Sequence, residues 1–482
     1  MKHIQTDVAI IGAGTAGMSA YRAALAHTPQ VLVIEGGPYG TTCARVGCMP
    51  SKLLIAAADA AHGAAHATLF GVHAGPIRID GAAVMQRVRD ERDRFVGFVT
   101  EAVERWPAEH RLRGRAHFID AHTLQVDEHT RINAGRIVIA TGSVPTVPPA
   151  WRAAVGDRLI VNDDVFAWPT LPRSVAVLGA GVIAIELAQA LHRLGVRVHL
   201  YGRSQRLGPL TDPRLQEETR RVLGAELPMT LGAGELRLRR EADEVIVGTG
   251  TGTGGGTADE QRFDWLLAAS GRSPNLQGLG LGTTGLPLDP DGVPVFDRRT
   301  GQIGVSSVFI AGDVNHEIEL LHEAADEGRI AGDNAGRFPD VRVRPRRAPL
   351  AVVFSDPQIM TAGTGHAQLM QTGAAFEVGE VSFEDQGRSR VIGRNQGLLR
   401  VYGERGSGRF LGAEMIGPAA EHLGHLLAWS VQRGDTVQQM LDSPYYHPVI
   451  EEGLRTALRV LQRALHMGPV PVERCLDCGP GG

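Results

Sequence analysis

The fold is decided by a strand-like run that ends in three spaced glycines, Thr6-Asp7-Val8-Ala9-Ile10-Ile11-Gly12-Ala13-Gly14-Thr15-Ala16-Gly17. A helical pattern from Met18 to His27 follows, and a second strand-like run ends at Glu35. In this order, Gly12 permits a tight turn, Gly14 lets the backbone approach a pyrophosphate, and Gly17 lets the helix pack on the strand. Glu35 then offers a carboxylate to an adenosine ribose. The segment therefore predicts a Rossmann-like dinucleotide-binding unit rather than an isolated glycine-rich loop.

A second unit of the same kind begins at Ser174. It repeats the strand, glycine turn and helix start in Val175-Ala176-Val177-Leu178-Gly179-Ala180-Gly181-Val182-Ile183-Ala184. Gly179, Gly181 and Ala184 occupy the glycine positions, and the last position tolerates alanine. The next strand ends in Gly202-Arg203-Ser204-Gln205-Arg206, without a carboxylate. Arg203 and Arg206 would attract a 2′-phosphate on the ribose, and the plainer interpretation is two solvated surface arginines.

A pair of cysteines lies between the two units, in Gly40-Thr41-Thr42-Cys43-Ala44-Arg45-Val46-Gly47-Cys48-Met49-Pro50-Ser51-Lys52. The pair can close as a disulfide and reopen as a dithiol, which stores two electrons. Pro50 suits a first helical turn, so Cys48 would lie at a helix N-terminus that favours a thiolate. A structural disulfide, a zinc site and chance pairing are the alternatives. Four cysteines in 482 residues speak against the first, and only two ligands in the segment speak against the second.

Other strand ends and helix starts supply further candidate residues. A strand-like run from Arg136 leads into Ala140-Thr141-Gly142-Ser143, and Val305 to Ala311 leads to Asp313, whose carboxylate would meet a polyol chain at the carboxyl edge of the sheet. Gly271 ends the second dinucleotide unit. Lys52 and Glu186 are expected to form a buried ion pair beside the redox group, although each alone would more often be a solvated charge.

Three prolines, Pro145, Pro148 and Pro149, are predicted to interrupt regular structure at a crossover between domains. A low-complexity glycine–threonine segment, 248–257, is predicted to be a hairpin tip without function. Near the C-terminus, Cys475 and Cys478 suggest either an electron relay or an inert tail.

The chain changes character after Pro349, where alternating strand-like runs are followed by two helical patterns, which predicts a third, α+β domain. Between its last elements, His447 is followed by Pro448 and lies five residues before Glu452. This spacing suits a histidine that a carboxylate orients for acid–base chemistry, and a structural histidine is the alternative.

The composition excludes several classes of protein. With 43% hydrophobic residues, 21% charged residues and a net charge of −4, nothing indicates binding to nucleic acid. No apolar run is expected to span a membrane, no signal peptide is apparent, and no metal site is predicted, so a cytoplasmic protein is expected.

Together these motifs resemble the flavin-dependent pyridine nucleotide–disulfide oxidoreductases, the family of dihydrolipoyl dehydrogenase, glutathione reductase and mercuric reductase. The resemblance covers essentially the whole chain. It implies an α/β protein with two dinucleotide-binding, Rossmann-like domains and a C-terminal α+β dimerisation domain. The expected boundaries are 1–147 and 278–346 for the FAD-binding domain, 148–277 for the NAD(P)-binding domain, 347–470 for the dimerisation domain and 471–482 for a flexible tail.

The resemblance also implies roles for individual residues. FAD would be held by Gly12, Gly14, Gly17, Glu35, Thr141, Gly142 and Asp313. Cys48 would touch the flavin, Cys43 would exchange with the substrate, and Lys52 with Glu186 would lie near the flavin's reactive nitrogen. His447, oriented by Glu452, would serve Cys43 of the other subunit in a homodimer.

Two departures from the family pattern bear on specificity. Arg45 replaces a more usual residue between the cysteines, which would place a cation near the thiols. Gly202 and Arg203 replace the acid usual in dihydrolipoyl dehydrogenases, so NADP should be accepted at least as well as NAD.

The favoured function is a dihydrolipoyl dehydrogenase type of enzyme acting on a disulfide such as lipoamide, with a 2-oxoacid dehydrogenase complex as a candidate partner. The alternatives are an NADPH-dependent reductase of another disulfide or a metal ion, a flavin transhydrogenase, and a structural flavoprotein subunit. Retention of Cys43, Cys48 and His447 speaks against the transhydrogenase. A structural subunit would not require these three together with Lys52, Glu186 and Glu452.

Overall fold

The computed structural model describes residues 1–250 and 259–467. The strands are β1 Lys2–Ile11, β2 Val31–Glu35, β3 Arg111–Arg113, β4 Ala116–Phe118, β5 Thr123–Val126, β6 Thr130–Ile139, β7 Ser143–Pro145, β8 Leu159–Val161, β9 Ser174–Leu178, β10 Arg197–Gly202, β11 Met229–Leu231, β12 Arg237–Glu241, β13 Glu244–Thr249, β14 Asp259–Phe263, β15 Trp265–Ala268, β16 Arg272–Pro274, β17 Val308–Ile310, β18 Leu350–Val353, β19 Gln358–Gly363, β20 Phe376–Ser382, β21 Leu398–Glu404 and β22 Phe410–Gly417.

The helices are α1 Thr15–Ala24, α2 Thr42–Val46, α3 Cys48–His66, α4 Gly81–Glu104, α5 Pro149–Val155, α6 Asn162–Val165, α7 Val182–Arg193, α8 Pro213–Gly224, α9 Leu321–Arg337, α10 His366–Gln371, α11 Gly387–Val391, α12 Ala420–Arg433, α13 Val437–Leu441 and α14 Glu451–Ala464.

The first sheet has the order β3-β2-β1-β6-β5-β4, and β17 also pairs with β6. Strands β1, β6 and β17 run parallel, with Ile11 opposite Ile139 and Ile139 opposite Ile310. Their carboxyl ends therefore share one edge, as the sequence predicts. The segments that follow these strands carry the first glycine turn, Thr141 and Asp313.

Helices α1 and α9 cross closely beside this sheet. A Cβ added at Gly328 or Gly332 of α9 would lie 2.1 or 2.3 Å from the backbone oxygen of Ala16 or Ala20 of α1. Only glycine fits at such a distance, so these two positions fix how near α9 lies to the glycine turn.

The second sheet, of order β11-β10-β9-β15-β8, is parallel throughout and forms the second predicted dinucleotide unit. Its helix α7 shares a buried core with the cysteine-bearing helix α3, in which Leu54 and Ala58 pack with Leu187 and Leu191. This packing places α3 between the two dinucleotide units. An adjoining antiparallel sheet is formed by β12, β13 and β14.

The third large sheet, of order β18-β19-β22-β21-β20, is antiparallel. Residues of α12 and α14, including Leu427 and Leu458, share one core with Met360, Val401 and Phe410 of the strands. The predicted α+β character of the C-terminal part is confirmed.

The prediction that three prolines interrupt regular structure is wrong at two of them. Pro145 ends β7, which within the described parts of the chain pairs with β16 alone in a two-stranded sheet, an edge position that tolerates proline. Pro149 is the first residue of α5. A backbone N–H at this position would have no partner within the helix, so proline, which lacks the N–H, costs no hydrogen bond there.

One stretch of the described residues, the 29-residue Thr42–Phe70, meets the length and composition of a membrane span, because an 18-residue window within it has a mean hydropathy of 1.2. This corrects the expectation that no apolar run is long enough. The many alanines of α3 raise the hydropathy, and other apolar helices pass the same test.

Candidate functional site

A cavity of about 460 Å³ lies where the three large sheets meet. Its walls include Gly14, Gly142 and Asp313 from the first unit, Glu186 from the second, and Phe354 after the first strand of the third. Cys43, Cys48 and Lys52 also line it. The structure thus brings Cys43, Cys48, Lys52 and Glu186 to the same cavity as part of the predicted FAD site, namely Gly14, Gly142 and Asp313.

The first glycine turn has the predicted division of roles. Gly12 has φ +110°, and a Cβ there would lie 2.3 Å from the carbonyl oxygen of Ala140. A Cβ on Gly17 would lie 1.9 Å from the oxygen of Gly12, whereas a Cβ on Gly14 would meet nothing within 4 Å. Gly14 is therefore open toward the cavity, and the other two glycines hold the turn close to the sheet.

Glu35 supports this turn through its own hydrogen bonds. Its Oε2 accepts from the N–H of Ala13 at 2.8 Å, and its Oε1 accepts from the N–H of Gly37 at 2.6 Å. A carboxylate oxygen can accept a second hydrogen bond, so Glu35 remains able to bind a ribose.

The residues after β6 and β17 fit a polyphosphate-bearing dinucleotide. The hydroxyl Oγ1 of Thr141 is buried without a hydrogen-bond partner in the described residues, and Gly142, at φ +71°, has open space around it. Asp313 Oδ2 accepts a hydrogen bond from Ser143 Oγ at 3.0 Å. An unpaired buried hydroxyl beside an open glycine is the kind of group that a bound cofactor satisfies, so these residues fit FAD.

The two cysteines are free thiols, and each shifts the pKa of the other. A hydrogen bond from Cys43 is the main cause that lowers the pKa of Cys48 to about 7; burial opposes this effect, and the charge of Lys52 adds to it. The same hydrogen bond, with burial, raises the pKa of Cys43. Cys48 begins α3, as predicted, and it is the thiol that ionises first.

The predicted ion pair between Lys52 and Glu186 is present. Lys52 Nζ lies 2.7 Å from Glu186 Oε2 and 4.6 Å from the centre of the Phe354 ring. The other oxygen of Glu186, which is 4% exposed, accepts from the backbone N–H of Phe354 at 2.9 Å. The pair joins α3, α7 and the end of β18 beside the thiols.

Arg45 lies between the two cysteines in sequence, and in the folded chain its charge acts on Asp163. The charge of Lys52 lowers the pKa of Cys48. Burial raises the pKa of Asp163, and the charges of Arg272 and Arg45 oppose that increase. The side chain of Arg45 passes close to Gly40, since a Cβ added at Gly40 would lie 3.1 Å from Cγ and 3.2 Å from Cδ of Arg45.

His447 and Glu452 form the predicted pair. His447 Nδ1 lies 3.0 and 3.1 Å from the two carboxylate oxygens of Glu452, which is 5% exposed. The imidazole itself is 79% exposed, and within the described part of the chain it does not line the cavity that holds Cys43. One chain alone therefore does not bring this histidine to the thiols.

The second glycine turn repeats the geometry of the first. Gly179 has φ +135°, and a Cβ there would lie 2.1 Å from the oxygen of Ala269, while a Cβ on Gly181 would meet nothing within 4 Å. Ala184 is fully buried in α7, and Gly271 has φ +116°. This turn is built to receive a second dinucleotide.

The loop after β10 carries unneutralised arginines. Arg203 and Arg206 are exposed, and Arg206 donates to the carbonyl of Pro209 at 3.1 Å. Arg220 of α8, which the sequence analysis did not select, donates to the carbonyl of Gln205 at 3.0 Å. None of the three forms an ion pair within residues 1–250 and 259–467, whereas Arg214 and Arg221 of α8 pair with Glu217 and Glu218.

Several residues that line the cavity were not predicted as site residues, among them Ser143, Arg272 and Glu319. Arg272 donates from Nε to Ser143 Oγ at 2.8 Å, which extends the Ser143–Asp313 contact. Glu319 lies 3.1 Å from His316, and burial raises its pKa, with Asp313 adding to the effect. Ser143 and Arg272 each follow a predicted site residue, Gly142 and Gly271, and that adjacency was the available signal.

Two other predictions lie outside the described residues. These are the function of the tail cysteines Cys475 and Cys478 and the conformation of most of the glycine–threonine segment. Among the described residues, no group of three or more histidine, cysteine or acidic side chains is arranged to hold a metal ion.

Family models match most of the chain. One, described as pyridine nucleotide-disulphide oxidoreductase, matches residues 6–328. Another, described as the dimerisation domain of the same oxidoreductases, matches residues 350–458.

Curated relatives carry two different names. The chain is 30% identical over 475 residues to a dihydrolipoyl dehydrogenase from Haloferax volcanii, covering 96% of this chain and 97% of the relative. It is 32% identical over 471 residues to a mercuric reductase from Streptomyces lividans, covering 94% of this chain and 96% of the relative.

Solved structures share the fold. LpdA from Mycobacterium tuberculosis superposes with a TM-score of 0.81 at 23% identity, covering 94% of this chain and 99% of that chain. The HOCl-induced flavoprotein disulfide reductase RclA from Escherichia coli superposes with a TM-score of 0.78 at 23% identity, covering 94% of this chain and 100% of that chain.

Proposed function

This chain belongs to the pyridine nucleotide–disulphide oxidoreductase family, and on that premise we propose that it transfers electrons between NAD(P)(H) and a substrate disulfide through FAD and the Cys43–Cys48 pair. The observation that carries the proposal is that both thiols line one cavity together with the Lys52–Glu186 ion pair. Cys43 and the charge of Lys52 lower the pKa of Cys48 to about 7. A purely structural cysteine pair would need neither the low pKa nor the adjacent ion pair.

FAD would be held along the carboxyl edge of the first sheet, where Gly14 and Gly142 leave room and Thr141 Oγ1 lacks a partner. Asp313 would accept hydrogen bonds from the polyol chain, and Glu35 from the ribose. Bound FAD supplies two-electron chemistry, since it can accept a hydride and reduce a disulfide.

The chain's own residues perform the thiol exchange. Cys43 attacks one sulfur of the substrate disulfide and forms a mixed disulfide, so that one substrate thiol leaves. Cys48 then attacks Cys43, which releases the second substrate thiol and closes the Cys43–Cys48 bond. The pair loses two electrons and two protons, and the substrate gains both.

Cys43 needs a base for this step because its pKa is raised. His447 is the candidate, with Nδ1 held by Glu452 so that Nε2 is available to take the proton. Because His447 does not line its own chain's cavity in the described residues, we infer that a second copy supplies it. The dimerisation domain at residues 350–458 supports this homodimer.

The coenzyme is proposed to be NADPH in preference to NADH. Arg203, Arg206 and Arg220 surround the loop that would face the adenosine ribose, and their charges are not neutralised by described carboxylates. The 2′-phosphate of NADPH would supply the negative charge that neutralises these arginines, and guanidinium groups bind phosphate well.

A disulfide of the lipoamide type is the first candidate substrate, supported by the relatives named dihydrolipoyl dehydrogenase. Membership of a 2-oxoacid dehydrogenase complex and a cytoplasmic location belong to the same proposal. Reduction of a metal ion is the second candidate, which the relatives named mercuric reductase favour.

The test is a titration of the purified protein with NADPH and NADH, followed by assays with lipoamide, glutathione disulfide and mercuric ion. We expect bound flavin, reduction by the coenzyme, and turnover of a disulfide. Flavin reduction followed by turnover of the metal ion alone would favour the second candidate. Absence of flavin or of any reduction would contradict the proposed function.

A further inference from the structure

The segment 339–349 connects α9 to β18, and thus the first unit to the C-terminal sheet. It carries arginines at 342, 344, 346 and 347, and three of them reach back to carboxylates of α9. Arg344 lies 3.0 Å from Asp333, and Arg347 lies 3.4 Å from Asp326. Arg346 contacts both Glu323 and Glu327.

The contacts of Arg346 are the most buried of the set. Glu323 and Glu327 are 4% and 8% exposed, and the Arg346 side chain is 18% exposed. Two carboxylates one helical turn apart repel each other, and burial raises the pKa of Glu327. The Arg346 guanidinium offsets both effects, because one of its nitrogens lies 3.0 Å from Glu327 Oε1 and also contacts Glu323.

The other oxygen of Glu327 holds the turn that carries Asp313. Glu327 Oε2 accepts from the backbone N–H of Gly312 at 2.8 Å and from the side-chain amide of Asn315 at 2.6 Å. Gly312 and Asn315 flank the short turn that starts at Asp313. An unbroken series of contacts therefore runs from Arg346 through Glu327 to both sides of the aspartate.

We propose that Arg346 is a positioning residue for cofactor binding: it keeps Glu327 as a charged acceptor that fixes the Gly312–Asn315 turn and so aims Asp313 into the cavity. The segment that leads into the dimerisation domain thereby sets the affinity for FAD. This inference rests on the proposed binding of FAD. It adds a determinant that lies in the connecting segment, outside the cavity walls.

The test compares dissociation constants of FAD, measured by flavin fluorescence on refilled apoprotein, for the wild type and four variants. Arg346→Met should raise the constant about tenfold, because a buried carboxylate loses its cation. Arg346→Lys should raise it only about threefold, since one ammonium retains the charge but not both contacts. Arg342→Met is the matched control, because Arg342 lies on the same segment and its side chain pairs with exposed Asp340 alone. It should leave the constant unchanged.

The fourth variant, Arg346→Met combined with Glu327→Gln, tests the route. The amide oxygen that Glu327→Gln introduces needs no charge to accept from Gly312, and only one of the two carboxylates that lose Arg346, Glu323, stays charged. This double variant should therefore bind FAD more tightly than Arg346→Met alone. Melting of each apoprotein is measured in parallel. Equal FAD affinity of Arg346→Met and wild type, or a double variant no better than the single one, would overturn the inference. A wild type that binds no FAD would instead refute the proposed function.

Discussion

The Cys48 thiol owes its low pKa chiefly to its neighbour, because the hydrogen bond from Cys43 outweighs burial and exceeds the effect of Lys52. The helix start that the sequence indicates is present, but it does not by itself explain which thiol ionises. The assignment depends on a contact between side chains, and the spacing of the two cysteines only made that contact feasible.

Two substitutions of Cys43 can separate the effect of its hydrogen bond on the pKa of Cys48 from the effects of burial and of Lys52. Cys43→Ser keeps an O–H donor toward Cys48, and Cys43→Ala removes it, so the pKa of Cys48 should be higher in the alanine variant by about one unit, the equivalent of one hydrogen bond. Because the thiolate is lost as the pH falls through this pKa, alkylation of Cys48 at neutral pH should be slower in Cys43→Ala. Mass spectrometry of the Cys48 peptide across a pH series measures it. Superimposable profiles would show that Cys43 does not tune Cys48.

The proposed preference for NADPH rests on single residues. Replacing Arg203, Arg206 or Arg220 by alanine should lower kcat/KM for NADPH by about tenfold each and leave NADH nearly unchanged, because only the 2′-phosphate contact is lost. Arg214→Ala is a suitable control, since Arg214 pairs with Glu217 on the same helix as Arg220. A native preference for NADH that none of the substitutions alters would mean that the arginines face only solvent.

At the scale of elements, the contact between α3 and α7 depends on Lys52 and Glu186. Lys52→Met leaves the carboxylate of Glu186 buried without its cation and should destabilise the apoprotein on the order of 2 kcal/mol, less than for a fully buried pair because Lys52 is 30% exposed. Adding Glu186→Gln should restore part of that loss, since no charge remains. Thermal melting of the wild type, both single variants and the double variant gives the coupling, and strictly additive shifts would rule the pairing out as a source of stability.

Elements with a clear apolar period and a turn signal were predictable from the sequence. Both glycine turns, α3 and the C-terminal strands follow from residues that are neighbours in the chain. Helix α9 has no such signal, because its buried face includes Glu323, Asp326 and Glu327 and looks solvated in sequence. Their partners lie on a later segment, and only the folded chain shows that these acids are neutralised. For the same reason, the sequence could not predict that Glu327 accepts a hydrogen bond from Gly312, next to Asp313, because this contact also joins residues that are distant in the chain.

At the scale of the whole molecule, the histidine pair and the thiols are separated within one chain. His447→Ala should reduce disulfide turnover by about 10²- to 10⁴-fold, the range for loss of a general acid–base. Reduction of an artificial dye, which takes electrons without thiol exchange, should persist. Loss of both activities would indicate a defect in folding or assembly.

Mixed dimers test directly whether the histidine comes from a second copy. A chain with Cys43→Ser and a chain with His447→Ala are each expected to be inactive, but a dimer of the two contains one complete site. After random exchange of subunits, turnover should recover to about a quarter of the wild-type value, since half of the dimers are mixed and each has one working site. No recovery would place His447 and Cys43 of the same chain together.

The residues that line the cavity are spread along the chain from Gly14 to His425. They are therefore synthesised one after another over most of the time that translation takes. A nascent chain that has emerged only as far as β17 already displays both cysteines, yet it lacks Phe354 and hence the backbone N–H that occupies one oxygen of Glu186. A chain that ends early would therefore carry both thiols without the wall that encloses them, and the cavity is complete only when residues up to His425 are present.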